Sequence, residues 1–152
     1  MKQRILVYVL LVMTLLIVDN SDAYAKPRSL CWGAGCNLGD PVSSGCAGSS
    51  STYTAISKWA TATSGTVRMD LKYAPACNAN WTRGTNENPG AVRKLKAELW
   101  NSALTSQITS YQSSSYVYLW SAMYNGSTVL CGRGKQGPAN GTIDATTAFG
   151  CA

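Results

Sequence analysis

Histidine is absent from the 152 residues, phenylalanine occurs once, and only seven residues are acidic. Without imidazole there is no Ser-His-Asp or Cys-His arrangement, and acid–base chemistry is left to a few carboxylates. The cysteines include no CxxC pair and no histidine to complete a zinc set, which argues against a metal cluster and leaves the metal set empty. Basic residues never gather more densely than Arg93, Lys94 and Lys96, so a dedicated nucleic-acid stripe is not indicated. Charged residues make up just 13% of the chain while 45% are hydrophobic, a balance that supports a real core and excludes a disordered composition.

What is present begins with an N-terminal targeting pattern. Lys2 and Arg4 precede an apolar run over 5–18, and Ala23-Tyr24-Ala25 supplies a small-x-small cleavage site. Fourteen residues at about 1.5 Å each span roughly 21 Å, short of the ~30 Å hydrocarbon core, so the run reads as a secretory signal peptide. Residues 1–25 are then removed, and 26–152 form a single domain with no transmembrane helix. The loss of two bases and two acids leaves 11 and 5 in the remaining 127 residues, and the charge stays at +6. Such a balance favours anionic surfaces, which outside a cell means acidic wall polymers, lipid headgroups or nucleic acid; solubility alone explains it equally well.

All six cysteines, Cys31, Cys36, Cys46, Cys77, Cys131 and Cys151, lie beyond the cleavage site. An even count in a secreted chain reads as three disulfides, with 15 pairings open.

The segment 26–51 is rich in Cys, Gly, Ser and Pro and predicts a disulfide-tied loop region. Over 66–73, Val67, Met69, Leu71 and Tyr73 alternate with Arg68, Asp70 and Lys72, the pattern of a half-buried strand. Residues 53–61 join it through Thr63-Ser64-Gly65 as a hairpin, and Pro75 ends it. Residues 76–83 predict a turn or a single helical turn. Residues 91–100 fit helix or strand, and their β surroundings favour strand. A strand over 104–111 ends at Ser113-Ser114-Ser115. Asn125-Gly126 predicts a tight hairpin between 116–124 and 127–131, with a Gly-rich tail after it pinned by Cys151. Five to six strands separated by small-residue turns predict an all-β fold, a small antiparallel barrel or sandwich.

The run Cys31-Trp-Gly-Ala-Gly-Cys36-Asn-Leu-Gly-Asp40-Pro41, with Gly45-Cys46, resembles the N-terminal signature of the YjfA-like family of secreted bacterial proteins. The strand 67–73, followed by Ala74-Pro75-Ala76-Cys77 and Ala79-Asn80-Trp81, is similar to that family's second block. The two blocks reach from Cys31 to Trp81. The family has no established activity; its extracytoplasmic context implies a binding or sensing module. The resemblance also implies that the four shared cysteines pair among themselves, Cys31 with Cys36 and Cys46 with Cys77, leaving Cys131 for Cys151.

Among the acids beyond the signal segment, Asp70 between Arg68 and Lys72 reads as a solvated strand charge, Glu98 as a surface charge near Arg93 or Lys94, and Asp40 before Pro41 as a turn former. Calcium through Asn37 and Asp40 would need more carboxylates than that loop holds. Trp59, Trp100 and Trp120, in strand-like runs, read as core. Trp32 in its short cysteine loop, and Trp81 near Arg83, offer flat faces for stacking on sugar rings. The leading reading is a secreted, disulfide-stabilised binding or structural domain at the bacterial envelope, acting without a cofactor on an anionic wall polymer or carbohydrate. A small secreted hydrolase and an antimicrobial or toxin-like protein are the alternatives. The secreted protein is expected to begin at Lys26; N-terminal sequencing that found another first residue would overturn the cleavage.

Overall fold

The computed structural model describes residues 31–88, 90–115 and 117–152. The segment 1–25, expected to be a signal peptide, lies outside the described residues. The first described stretch is irregular, with a 3-10 turn at Gly33–Cys36. The strands follow: β1 Tyr53–Ala62, β2 Gly65–Ala74, β3 Ala79–Asn86, β4 Arg93–Asn101, β5 Gln107–Ser115, β6 Tyr118–Trp120, β7 Tyr124–Asn125, β8 Leu130–Pro138, β9 Ala145–Thr146 and β10 Gly150–Cys151. They form two antiparallel sheets. One runs β1-β2-β3-β6 with β7 also on β3, and the other runs β10-β8-β4-β5 with β9 also on β8. The chain is therefore an all-β sandwich. No helix among the described residues is long and apolar enough to cross a membrane.

Alternation in β2 decides the layer. Val67, Met69 and Leu71 point inward and are fully buried, in one layer with Leu95, Ala97 and Leu99 of β4. One cluster joins Val67, Leu95, Ala97, Leu119 and Ala145, and a second joins Met69, Leu71, Leu99 and Leu130. Each fully buried aliphatic side chain contributes about 1.5–3 kcal/mol. A third cluster, Cys36, Cys46, Ala74, Cys77, Ala79, Trp81 and Met123, lies on the outer side of the β1-β2-β3-β6 sheet, where the N-terminal loop folds over it.

The β1-β2 hairpin turns at Thr63-Ser64, with Ala62 opposite Gly65, and Pro75 follows the end of β2. Gly65 takes φ +108° there, a conformation that side chains rarely tolerate. Residues 93–101 are a strand, paired on both edges with β5 and β8.

Four expectations are corrected. The turn expected over 76–83 is confined to its beginning, and β3 starts at Ala79. Its first four residues are buried on both faces, one by the opposite sheet and the other by the N-terminal loop, so no alternation shows there. Leu104 sits in a turn with φ +58°, and the serine triplet continues β5 because Leu95, Lys94 and Arg93 supply its ladder. Asn125-Gly126 does not close a hairpin: Asn125 pairs with Ala79, the Gly126 amide donates to the Asn78 carbonyl, and the flanking β6 and β8 belong to different sheets. The Gly-rich tail supplies β8, a central strand.

Glycine suits β8 because the sheets meet closely there. A Cβ on Gly132 would lie 2.9 Å from Met69 Sδ, and one on Gly150 would lie 2.9 Å from Met69 Cε. At Gly134 it would stand 3.0 Å from Met69 Cβ, an atom with little freedom to move. Gly134→Ala should therefore cost about 1–3 kcal/mol by overpacking. Urea unfolding checks this, and an unchanged midpoint would show that the sheets have room to spare.

Candidate functional site

An open groove of about 470 Å³ runs along one side of the sandwich, where the edge strands β5 and β6 meet the N-terminal loop. Its aromatic lining comes from Tyr111 on β5 and from Tyr118 and Trp120 on β6, with Leu38 and Asp40 reaching in from the loop. Tyr111 and Tyr118 are exposed, and the Tyr118 and Trp120 rings lie 5.6 Å apart at 35°. Ser110, Ser113, Ser114 and Ser115 add hydroxyls along the same wall.

The loop is held there by covalent and backbone ties. Disulfides join Cys31 to Cys36, Cys46 to Cys77 and Cys131 to Cys151, the same pairs that the family resemblance implies. Three such bridges fit an oxidising environment. The Leu38 amide donates to the Met123 carbonyl at 2.9 Å, and the Met123 amide returns a bond to Gly39 at 2.8 Å. Asp40 follows, and its Oδ1 accepts from the amides of Val42 at 2.9 Å and Ser43 at 2.8 Å. That is the turn-forming role read from the sequence. Its Oδ2 accepts from the indole Nε1 of Trp120 at 2.7 Å, which fixes the ring against the groove. Burial works to raise the Asp40 pKa, but the hydrogen bonds from Trp120, Ser43 and Val42 outweigh it and lower it.

The predicted stacking residues fall elsewhere. Trp32 is exposed on the loop but does not line the groove. Trp81 is 3% exposed beneath Cys36, Cys46 and Cys77, so its flat faces are spent on packing. Arg83 does not line the groove either; its guanidinium pairs with Asp70 and lies 5.9 Å from the centre of the Tyr118 ring. None of the three tryptophans expected in the core is among its buried residues. Trp59 is 58% exposed, on the outer side of edge strand β1, and Trp120 lines the groove. Trp100 is half-buried, edge-on to Phe149. The signal that would have found the groove is the aromatic density over 118–120 together with the hydroxyl-rich 113–115, which come together only across two strand edges.

Two carboxylates read as surface charges are buried. Asp70 is 2% exposed and accepts from Ser57 Oγ at 2.6 Å and Arg83 Nη2 at 2.6 Å, with Arg68 Nε at 3.3 Å. Burial works to raise its pKa, but Ser57 and the two guanidinium groups prevail and lower it. Glu98 is 1% exposed and its partners are Lys96, Arg133 and Lys135, rather than Arg93 or Lys94. In both places alternation puts the acid on an outward face, and long cationic side chains then cover it.

Asp40 is the one acid among the described residues that line the groove, whereas glycoside hydrolysis takes two facing one bond. Asn37 Oδ1 accepts from the Asn125 amide at 2.8 Å, which ties the loop to β7. The Sγ atoms of Cys31, Cys36 and Cys46 lie within 4.8 Å of one another, and all three are in disulfides. No family model, curated protein or solved structure matches this chain.

Burial tends to raise the Glu98 pKa, but hydrogen bonds from Lys135, Lys96, Arg133 and Trp100 outweigh it and bring the carboxyl from 4.5 to about 2. By linkage the charged form adds up to about 3 kcal/mol of stability at neutral pH. That contribution is complete above the unfolded value of 4.5 and disappears as the pH falls through the folded value of about 2. Thermal melts from neutral pH downward should show the wild-type Tm falling across this window. Glu98→Gln should start lower and fall less steeply; parallel profiles would show that Glu98 carries no such linkage.

Proposed function

We propose that the protein is a secreted, non-enzymatic binding module that holds an extracellular or cell-envelope glycan, an anionic wall polymer in particular, in the groove between β5 and β6. The observation that carries this reading is the aromatic wall of Tyr111, Tyr118 and Trp120, the last held by Asp40, beside a row of serines. Aromatic faces stack on the apolar faces of sugar rings, and hydroxyls and carboxylates exchange hydrogen bonds with sugar hydroxyls. A carboxylate has about four acceptor positions, and Val42, Ser43 and Trp120 use three of those on Asp40. One remains for a ligand hydroxyl.

The volume lies within the ordinary range for ligand sites, and its place along two strand edges suits a chain that passes through. The net charge of +6 favours acidic partners. The disulfides support an extracellular setting, and the resemblance of the Cys31 to Trp81 segment to the YjfA-like family belongs to the same proposal. The single groove acid supports binding over hydrolysis.

Purified wall material should retain the protein at low salt and release it progressively as salt rises. Tyr111→Ala with Tyr118→Ala, at two exposed positions, should weaken retention about tenfold, equivalent to ~1.4 kcal/mol. No retention at low salt would sink the proposal, as would full retention of the double variant.

A further inference from the structure

The outer face of the β10-β8-β4-β5 sheet carries more positive charge than its buried acid requires. Lys96 pairs directly with Lys135 across β4 and β8, and Glu98 pairs with Arg133 in the next outward-facing row. Lys96 Nζ and Lys135 Nζ both donate to Glu98 Oε1, at 2.9 and 2.8 Å. Glu98 Oε2 accepts from Arg133 Nη2 at 2.7 Å, Arg133 Nε at 2.8 Å and Trp100 Nε1 at 3.1 Å. Five donors exhaust this carboxylate. Each ammonium carries three N–H groups, and both lysine side chains remain partly exposed. Three cations against one anion leave the cluster at +2, and Lys94 extends the same face one row further along β4.

We infer that the Lys96–Lys135–Arg133 cluster around Glu98 is an anion subsite that takes the phosphate or carboxylate groups of an acidic polysaccharide whose sugars lie in the groove. This rests on the groove reading, because the two sites are continuous. Ser110 and Ser114 line the groove, and they are the ladder partners of Glu98 and Lys94. One strand spacing, about 4.8 Å, therefore separates the groove lip on β5 from the β4 row that carries Lys94 and Lys96, and a second such spacing leads to Arg133 and Lys135 on β8. A polymer crossing β5 brings its charged groups over the lysines while its rings stay on the tyrosines and Trp120. Arg133 is held between Trp100 and Phe149, with its guanidinium 5.1 and 4.4 Å from their ring centres, and so presents a fixed charge.

The test compares three polymers, a neutral soluble glucan, polygalacturonate and a glycerol-phosphate polymer, against wild type, K96Q/K135Q and Y111A/Y118A. Glu98 keeps Arg133 and Trp100 in K96Q/K135Q; should that protein fail to fold, Lys135→Gln alone is read instead. The lysine variant should lose about tenfold in affinity for the acidic polymers at low salt, with a shallower salt dependence as fewer counterions are released. Its affinity for the neutral glucan should not change. K96R/K135R, which retains the charge, should bind like wild type. A loss on both acidic polymers, or on one alone, supports the subsite and tells whether carboxylate or phosphate is preferred. Wild-type affinity and salt slope in the lysine variant overturn the subsite while the groove reading stands. Undiminished binding of all three polymers by Y111A/Y118A overturns the groove reading, and the subsite as its extension.

Discussion

Met69 fills a space that three glycines keep open. Gly132 and Gly134 on β8 and Gly150 on β10 surround its side chain, and a Cβ on any of them would come within about 3 Å of a Met69 atom. This contact sets the separation of the sheets at the middle of the sandwich, where β2 lies over β8. β8 gives nothing but backbone to the interior at Gly132 and Gly134, Leu130 and Gln136 fill the inward positions on either side, and Arg133 and Lys135 stand on the outward face. Alternation along β8 thus sets its glycines against Met69 and its cations around Glu98.

Each sheet carries one buried acid on its outer face, and each acid ties neighbouring strands. Asp70 on β2 faces Arg83 on β3 in direct register, as Glu98 on β4 faces Arg133 on β8. A one-residue slip would turn each acid toward the apolar interior, so the pairs support register as well as charge balance. Buried ion pairs bring little net stability over an apolar pair, yet removing one partner costs about 3–5 kcal/mol. The two sites differ in their surplus. Asp70 shares Arg68 with Glu87, which draws off part of the positive charge, while Glu98 stands alone against three cations.

The N-terminal loop makes the groove out of an ordinary sandwich edge. Cys46–Cys77 binds it to the turn between β2 and β3, and Trp81 packs beneath the cysteines. From that anchor the chain passes through Leu38, at φ +64°, and brings Asp40 onto the Trp120 indole. A loop with no regular structure can hold a ring in a fixed orientation because two disulfides and reciprocal backbone bonds with Met123 limit its freedom.

The alternation of Val67, Met69 and Leu71 against Arg68, Asp70 and Lys72 was enough to place β2, its hairpin with β1 and the all-β class, because one face is apolar and the other polar. Asp40 as a turn former was equally plain, since its bonds to Val42 and Ser43 are local. Strands buried on both faces, such as β3, or carrying glycine inward, such as β8, show no alternation, and local composition reads them as turn and tail. Whether Trp59 or Trp81 lay inside depended on which strand was an edge and where the loop folded over. The groove joins Tyr111 to Trp120 and Asp40 across two sheets and a loop, and the Glu98 cluster joins β4 to β8. Residue types and short-range spacing determined the fold class and that the cysteines would be bridged, with their pairing implied only by the family resemblance; tertiary structure alone decided the sites, because they arise from contacts between segments far apart in the chain.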